Sequence, residues 1–178
     1  DFDGGEETAG PSPSLSATRS ASASPRSSPP ASSPPPTNRL VTTDPAVTDN
    51  RAAAVADLLE DYFTAINNRD YDRALEAYDP AGVIDPTDAG QAADFKQAIS
   101  TTTDSQIVLR SVGPPASGRG VLDARVTFQS NQQPGYGPRE RPTETCTAWD
   151  LTYTLSQPAG TYKIIAGKAT SAPCGPVS

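Results

Sequence analysis

Few groups in this sequence could do chemistry. Its 178 residues include two cysteines, six tyrosines and one tryptophan, and no histidine or methionine. Without histidine, every His-based triad, dyad or metal site is excluded. Cys146 opens CTAWDLTYTL beside Trp149, and Cys174 lies in the tail APCGPVS. An even cysteine count without metal-type spacing favours a Cys146–Cys174 disulfide, the alternative being two unrelated free thiols. Bridged, the pair leaves no thiol nucleophile and no zinc–thiolate site, and it implies a compartment outside the cytoplasm. Asp85 and Asp88 of DPTDAG lack the further oxygen ligands that calcium needs, and Asp88 reads as a helix cap. GPPASGRG has neither the following helix nor the lysine of a phosphate loop. No metal and no cofactor is therefore expected. Gln129, Asn131, Gln132, Gln133 and Tyr136 in QSNQQPGYGPRERP could bind a sugar or peptide, or simply form a flexible hairpin tip.

The formal net charge of −7 argues against nucleic acid and anionic lipid as partners, since both call for basic clusters. No stretch approaches the roughly 18 apolar residues that span a bilayer, so no direct membrane insertion is expected within the chain. Composition divides the sequence in two. Residues 1–43 are rich in Ser, Pro, Ala and Thr and read as a disordered linker or stalk, too poor in apolar residues to offset backbone entropy. Residues 44–178 have ordinary composition and read as one domain. Any export signal or anchor is expected ahead of Asp1.

The elements that must position these groups follow from periodicity. Val55, Leu59, Tyr62, Phe63 and Ile66 recur at steps of three and four, predicting a helix capped by Thr48 or Asp49 and stopped at Asn67-Asn68. Asp57, Glu60 and Asp61 fall on its solvated side. DYDRALEAYDP predicts a shorter helix capped by Asp70, burying Ala74, Leu75 and Tyr78 and ended by Pro80. A third helix is expected over about 89–99, with Ala92, Phe95 and Ile99 inward. After residue 104 the period becomes two. Ile107, Leu109 and Ser111 alternate with Val108, Arg110 and Val112; Leu122, Ala124, Val126 and Phe128 share a face, as do Trp149, Leu151, Tyr153 and Leu155. With TYKIIAGKATS this makes four antiparallel strands, and the fold class is α+β: three helices packed on one face of a curved sheet. Trp149 is expected to face the helices and anchor the core, and Cys146 to lie on the outer face, with the tail folding back across that face to Cys174. Closing that loop would stabilise the fold by roughly 3–4 kcal/mol. On the outer face, Asp123 is expected to pair with Arg125, and Asp150 with Lys163 or Lys168.

The run YFTAINNRDYDRALEAYDP, with VTFQS and CTAWDLTYTLSQPAGTYKI, resembles the NTF2-like (SnoaL/ketosteroid-isomerase-like) superfamily over about residues 48–170. More narrowly it is similar to exported bacterial members carried behind Ser/Pro-rich spacers, on lipoproteins or as outer domains of membrane proteins. The resemblance implies a cone enclosed between helices and sheet, lined here by Phe63, Tyr78, Phe95, Phe128, Trp149 and Tyr153. Enzymes of that fold use an acidic base with a tyrosine or acid as hydrogen-bond donor. This implies Asp79 or Asp85 with Tyr62 or Tyr78, were the chain an enzyme. The function expected is instead non-catalytic binding or sensing by a tethered, extracytoplasmic domain, of a small apolar ligand or an envelope protein. A SnoaL-like isomerase, cyclase or dehydratase and a structural assembly domain are the alternatives. Sheet-face dimers, common in the family, would be hindered by a tail crossing the outer face.

Overall fold

The computed structural model describes residues 38–175. Strand β1 (Val41–Thr43) is followed by helices α1 (Ala52–Asn67), α2 (Tyr71–Leu75) and α3 (Ala89–Ile99), then by strands β2 (Thr103–Gly113), β3 (Leu122–Asn131), β4 (Cys146–Ser156) and β5 (Lys163–Pro173). The sheet runs in sequence order; β1 lies parallel to β2 and every other neighbour is antiparallel. Three helices followed by an antiparallel sheet is the order that the NTF2-like resemblance implies.

The sheet has five strands rather than four. The added strand, Val41–Thr43, falls inside the segment expected to be disordered; residues 1–37 of that segment lie outside the described residues. Two interactions order it. Val41 is buried against the core, and the Glu60 carboxylate accepts the backbone N–H groups of Leu40 (3.0 Å) and Val41 (2.8 Å). Glu60 is thus a docking point for an edge strand rather than a solvated helix residue.

Helix α1 buries Val55, Leu59, Tyr62, Phe63 and Ile66 along one stripe, with Val55 and Leu59 fully enclosed. Its cap differs from expectation. The helix starts after Arg51 with no side-chain cap, because the Asp49 carboxylate accepts from the Arg51 backbone N–H (2.9 Å) and guanidinium (2.7 Å), ahead of the cap position. The other two caps are as expected: Asp70 accepts from the Arg73 N–H and Asp88 from the Gln91 N–H. After α2 the chain does not wander off. Tyr78 makes an isolated parallel bridge to Ile164, and the Asp79 N–H donates to the Ile164 carbonyl at 2.9 Å, which joins the helical layer to β5.

Leu122, Ala124, Val126, Leu155 and Ile164 are almost wholly removed from water and form the sheet's share of the core. A turn through Gly120 leads into β3, where φ is +72° and a Cβ would come within 2.4 Å of the Leu155 carbonyl. Only glycine tolerates both conditions there.

Strand β2 carries two register breaks, between Ser105 and Val108 and between Leu109 and Ser111. An extra residue at a bulge reverses which face the following side chains take, and it bends the strand. Accordingly Ile107 and Leu109 are buried, but Ser111, of the same alternating set, is exposed and Val112 packs on the core. The first break, where Gln106 has φ +52°, does the same to the residues before it and turns Asp104 inward.

Cys146 and Cys174 form a disulfide with their Cα atoms 5.5 Å apart. The route is not the one expected. Strand β5 stays paired with β4 up to Thr147↔Pro173, and the Cys174 N–H donates to the Cys146 carbonyl. The bridge therefore closes the end of a hairpin, and the described part of the tail stays beside β4 instead of crossing the outer face. On that face Arg125 pairs with Asp150 through two bonds (2.8 and 2.5 Å), while Asp123 accepts from the Thr154 hydroxyl and the Ala116 N–H. Lys163 instead donates to the Glu76 carbonyl.

Candidate functional site

The site begins at the end of α1. Asn67 sits where the helix stops, and its side chain clasps the Asp104 backbone, donating to the carbonyl at 2.8 Å and accepting from the N–H at 2.7 Å. The Gln106 bulge then points the Asp104 side chain into the space between helices and sheet. Only 4% of Asp104 remains exposed. Its register partner on β3 is Ser130, whose hydroxyl donates to the carboxyl at 2.5 Å. No other described hydrogen bond reaches that carboxyl. Among the described residues no buried side-chain oxygen lacks both a partner and contact with open space. The second Asp104 oxygen therefore retains surface, and the space it meets is a cavity.

That cavity has a volume of about 230 Å³. Aromatic side chains form much of its wall: Tyr62 and Phe63 from α1, Phe128 from β3, and Trp149 and Tyr153 from β4. Phe63 meets Phe128 edge-on at 4.9 Å between ring centroids, and Phe128 stacks on Trp149 at 6.4 Å. Ala98 and Ile99 of α3 and Tyr136 of the β3–β4 loop also border it. The loop is tied down by its own backbone, with Gly135 donating to the Pro142 carbonyl and Gln132 to that of Thr145. Gln132 is buried and donates to the Thr147 hydroxyl and Glu144 carbonyl, so it braces the loop instead of presenting its amide.

Burial sets the protonation of these groups. Desolvation raises the Asp104 carboxyl from 3.8 to about 6, against the pull of the Ser130 hydroxyl. Burial likewise lifts the Tyr62 and Tyr153 hydroxyls well above the ordinary tyrosine value, with neighbouring tyrosines and Asp104 adding to the rise. Both stay protonated at neutral pH. Tyr62 and Tyr78 share a hydrogen bond of 2.9 Å between their hydroxyls. The arrangement brings an acid that titrates at about 6 and buried phenolic hydroxyls to one largely apolar pocket, which suits either ligand capture or proton transfer.

The expected site residues separate into two groups. Phe63, Phe128, Trp149, Tyr153 and Tyr62 line the cavity; Tyr78 and Phe95 do not, and instead pack on each other edge-on at 5.5 Å behind it. Trp149 is half-buried at the wall rather than an anchor of the core. The two acids implied as bases are elsewhere. Asp79 accepts from the Ser156 hydroxyl (2.6 Å) and Ala81 N–H, and these bonds hold its pKa below the ordinary value. Asp85 is held down likewise by the Thr87 hydroxyl and N–H. Neither borders the cavity, and groups this satisfied make poor bases.

A larger groove of about 590 Å³ runs between α1, α2 and the β4–β5 turn. Most of its charged side chains are paired within the protein, as Arg51–Asp49, Arg73–Asp61 and Arg39–Asp57, and Lys163 donates to the Glu76 carbonyl. It presents no convergent polar groups comparable to Asp104 and the tyrosines.

No protein-family model and no curated protein matches the sequence. Solved structures resemble the fold. One is a candidate calcium/calmodulin-dependent protein kinase II association domain from Xanthomonas campestris, 14% identical, covering 74% of this chain and 96% of its own, with a TM-score of 0.49. Another is an uncharacterized protein with a cystatin-like fold from Caulobacter vibrioides (19% identity, 70% and 91% coverage, TM-score 0.49). A third is a ketosteroid isomerase-like protein from Erwinia carotovora atroseptica (14% identity, 69% and 97% coverage, TM-score 0.49). These are likenesses of chain trace, and they assign no substrate or reaction to this chain.

Proposed function

We propose that residues 38–175 form a binding domain that holds a small, largely apolar molecule in the cone. The observation that carries this reading is the aromatic-walled cavity with one buried acid, Asp104, bordering it. Pockets of this composition, apolar with a few convergent polar groups, are where proteins bind small molecules. The cavity also weighs against a purely structural domain, which calls for a filled cone. The Cys146–Cys174 bridge supports placement outside the cytoplasm, and the Ser/Pro-rich sequence ahead of the domain suits a tether to the envelope.

A second reading is proton transfer of the isomerase kind. It is favoured by one observation, an acid near pH 6 beside phenolic donors. The base would be Asp104, not Asp79 or Asp85.

Native mass spectrometry of protein recovered from an oxidising compartment tests the first reading: extra mass released on denaturation is expected, and a bare chain in every preparation would count against it. Deuterium exchange into a small cyclic β,γ-unsaturated ketone tests the second. Exchange that disappears in Asp104→Asn would establish proton transfer; none above solvent background would leave binding alone.

A further inference from the structure

Among the described residues Asp104 has no cation partner. The side chains bordering its cavity come from every surrounding element: Tyr62 from α1, Ile99 from α3, Ser130 from β3, Tyr153 from β4, Ala169 from β5, and Gln132 and Tyr136 from the β3–β4 loop. None of the residues lining the cavity is lysine, arginine or a second acid. The titratable groups facing Asp104 are the tyrosines alone. Ion pairs are plentiful elsewhere: Arg110, Arg125, Arg141 and Lys96 each reach a carboxylate. A carboxylate removed from water ordinarily requires a counter-charge, and here only one hydroxyl answers it. Around the same space stand six aromatic rings, whose π-systems attract positive charge.

We infer that the cone takes a small organic cation, an ammonium group on an apolar body, with the ammonium against Asp104 and the apolar part among Phe63, Phe128 and Trp149. The inference rests on the binding reading above and names its ligand class. The ligand supplies the charge that the protein leaves out. A cavity of about 230 Å³ suits a molecule on the scale of one substituted ring. The ionised form of Asp104 is the one that binds, so affinity should rise as pH increases through its titration near 6.

The test uses benzylammonium, benzyl alcohol, toluene and benzoate as probes. Trp149, the chain's only tryptophan, borders the cavity and its fluorescence reports occupancy. At pH 7.5 benzylammonium should bind at least tenfold more tightly than benzyl alcohol, with benzoate weakest. That advantage should shrink severalfold at pH 5, where the probe keeps its charge but Asp104 is largely protonated. Asp104→Asn should remove it while toluene still binds; where that variant does not fold, the pH dependence of the wild-type chain decides. Benzyl alcohol or toluene binding as tightly as benzylammonium would overturn the cation and leave the cone as a binding site. Binding of none of the four would overturn both.

Discussion

The β3–β4 ladder has two ends that are built differently. At one, Leu122 faces Leu155, Ile164 lies beside them, and all three are almost wholly dry. At the other, Phe128 faces Trp149, both only partly buried, and the buried groups nearby are polar: Asp104, Ser130, Gln132 and Thr147. The first end is sealed by apolar contact. The second is held by ties of other kinds. The disulfide closes it, Asn67 clasps it from α1, and Glu144 accepts from Thr147 (2.6 Å) and Arg141 (2.5 Å). A cavity that admits a ligand cannot also be a close-packed core, so the open end depends on covalent and polar restraints where the closed end relies on burial.

The largest loss should come from the closed end. Leu155→Ala should lower unfolding stability by roughly 3–5 kcal/mol in urea denaturation, because it removes a fully buried side chain at a site with little room to collapse. Ligand binding at the far end should survive below the denaturation midpoint. Replacing both cysteines by serine acts on the open end. It should cost about 3–4 kcal/mol by the chain-entropy argument. Unlike Leu155→Ala, it should also weaken ligand binding in the folded protein, which a titration followed by Trp149 fluorescence would show.

Asp104→Asn works in the other direction. In the folded chain the carboxyl titrates near 6 rather than 3.8, so between those values the folded state binds more protons than the unfolded state. Its stabilising share is complete below the lower value and is lost as pH rises through the upper one. The asparagine variant stays neutral, so it should gain on the wild type by about 2–3 kcal/mol between acid and neutral pH, with denaturation curves at both as the check. The smallest effect belongs to the outer face. Arg125→Ala breaks an exposed ion pair and should leave the urea midpoint within measurement error.

The closed end was legible in the sequence because alternation continues unbroken through Leu122–Val126 and Leu151–Leu155, and one period fixes which side chains turn inward. Helix α3 and its Asp88 cap were legible for a similar reason, a local signal that tertiary contacts do not override. The site acid was not. Counted by alternation, Asp104 shares the outer face with Val108 and Arg110, and only the bulge at Gln106 reverses it. A polar residue able to take positive φ leaves a weak trace in sequence, and the lone available hint was an aspartate followed by Ser-Gln just before an apolar run. Strand β1 was hidden by composition. Three residues adjoining a Ser/Pro-rich tract carry no periodicity, and their order comes from Glu60, some twenty positions away. The cysteine pair was legible as a bond but not as a route, since the continuation of β5 through Pro173 is set by pairing with β4.

The central claim is that the open end carries a buried acid which no cation among the described residues answers. Carbon-13 NMR of the Asp104 carboxyl, titrated in the ligand-free protein, measures this directly, with Asp104→Asn assigning the signal. A midpoint near pH 6 is expected from its burial. A midpoint at or below the ordinary aspartate value of about 4 would mean that the carboxylate is hydrated or paired, and that the cone is not the enclosure described.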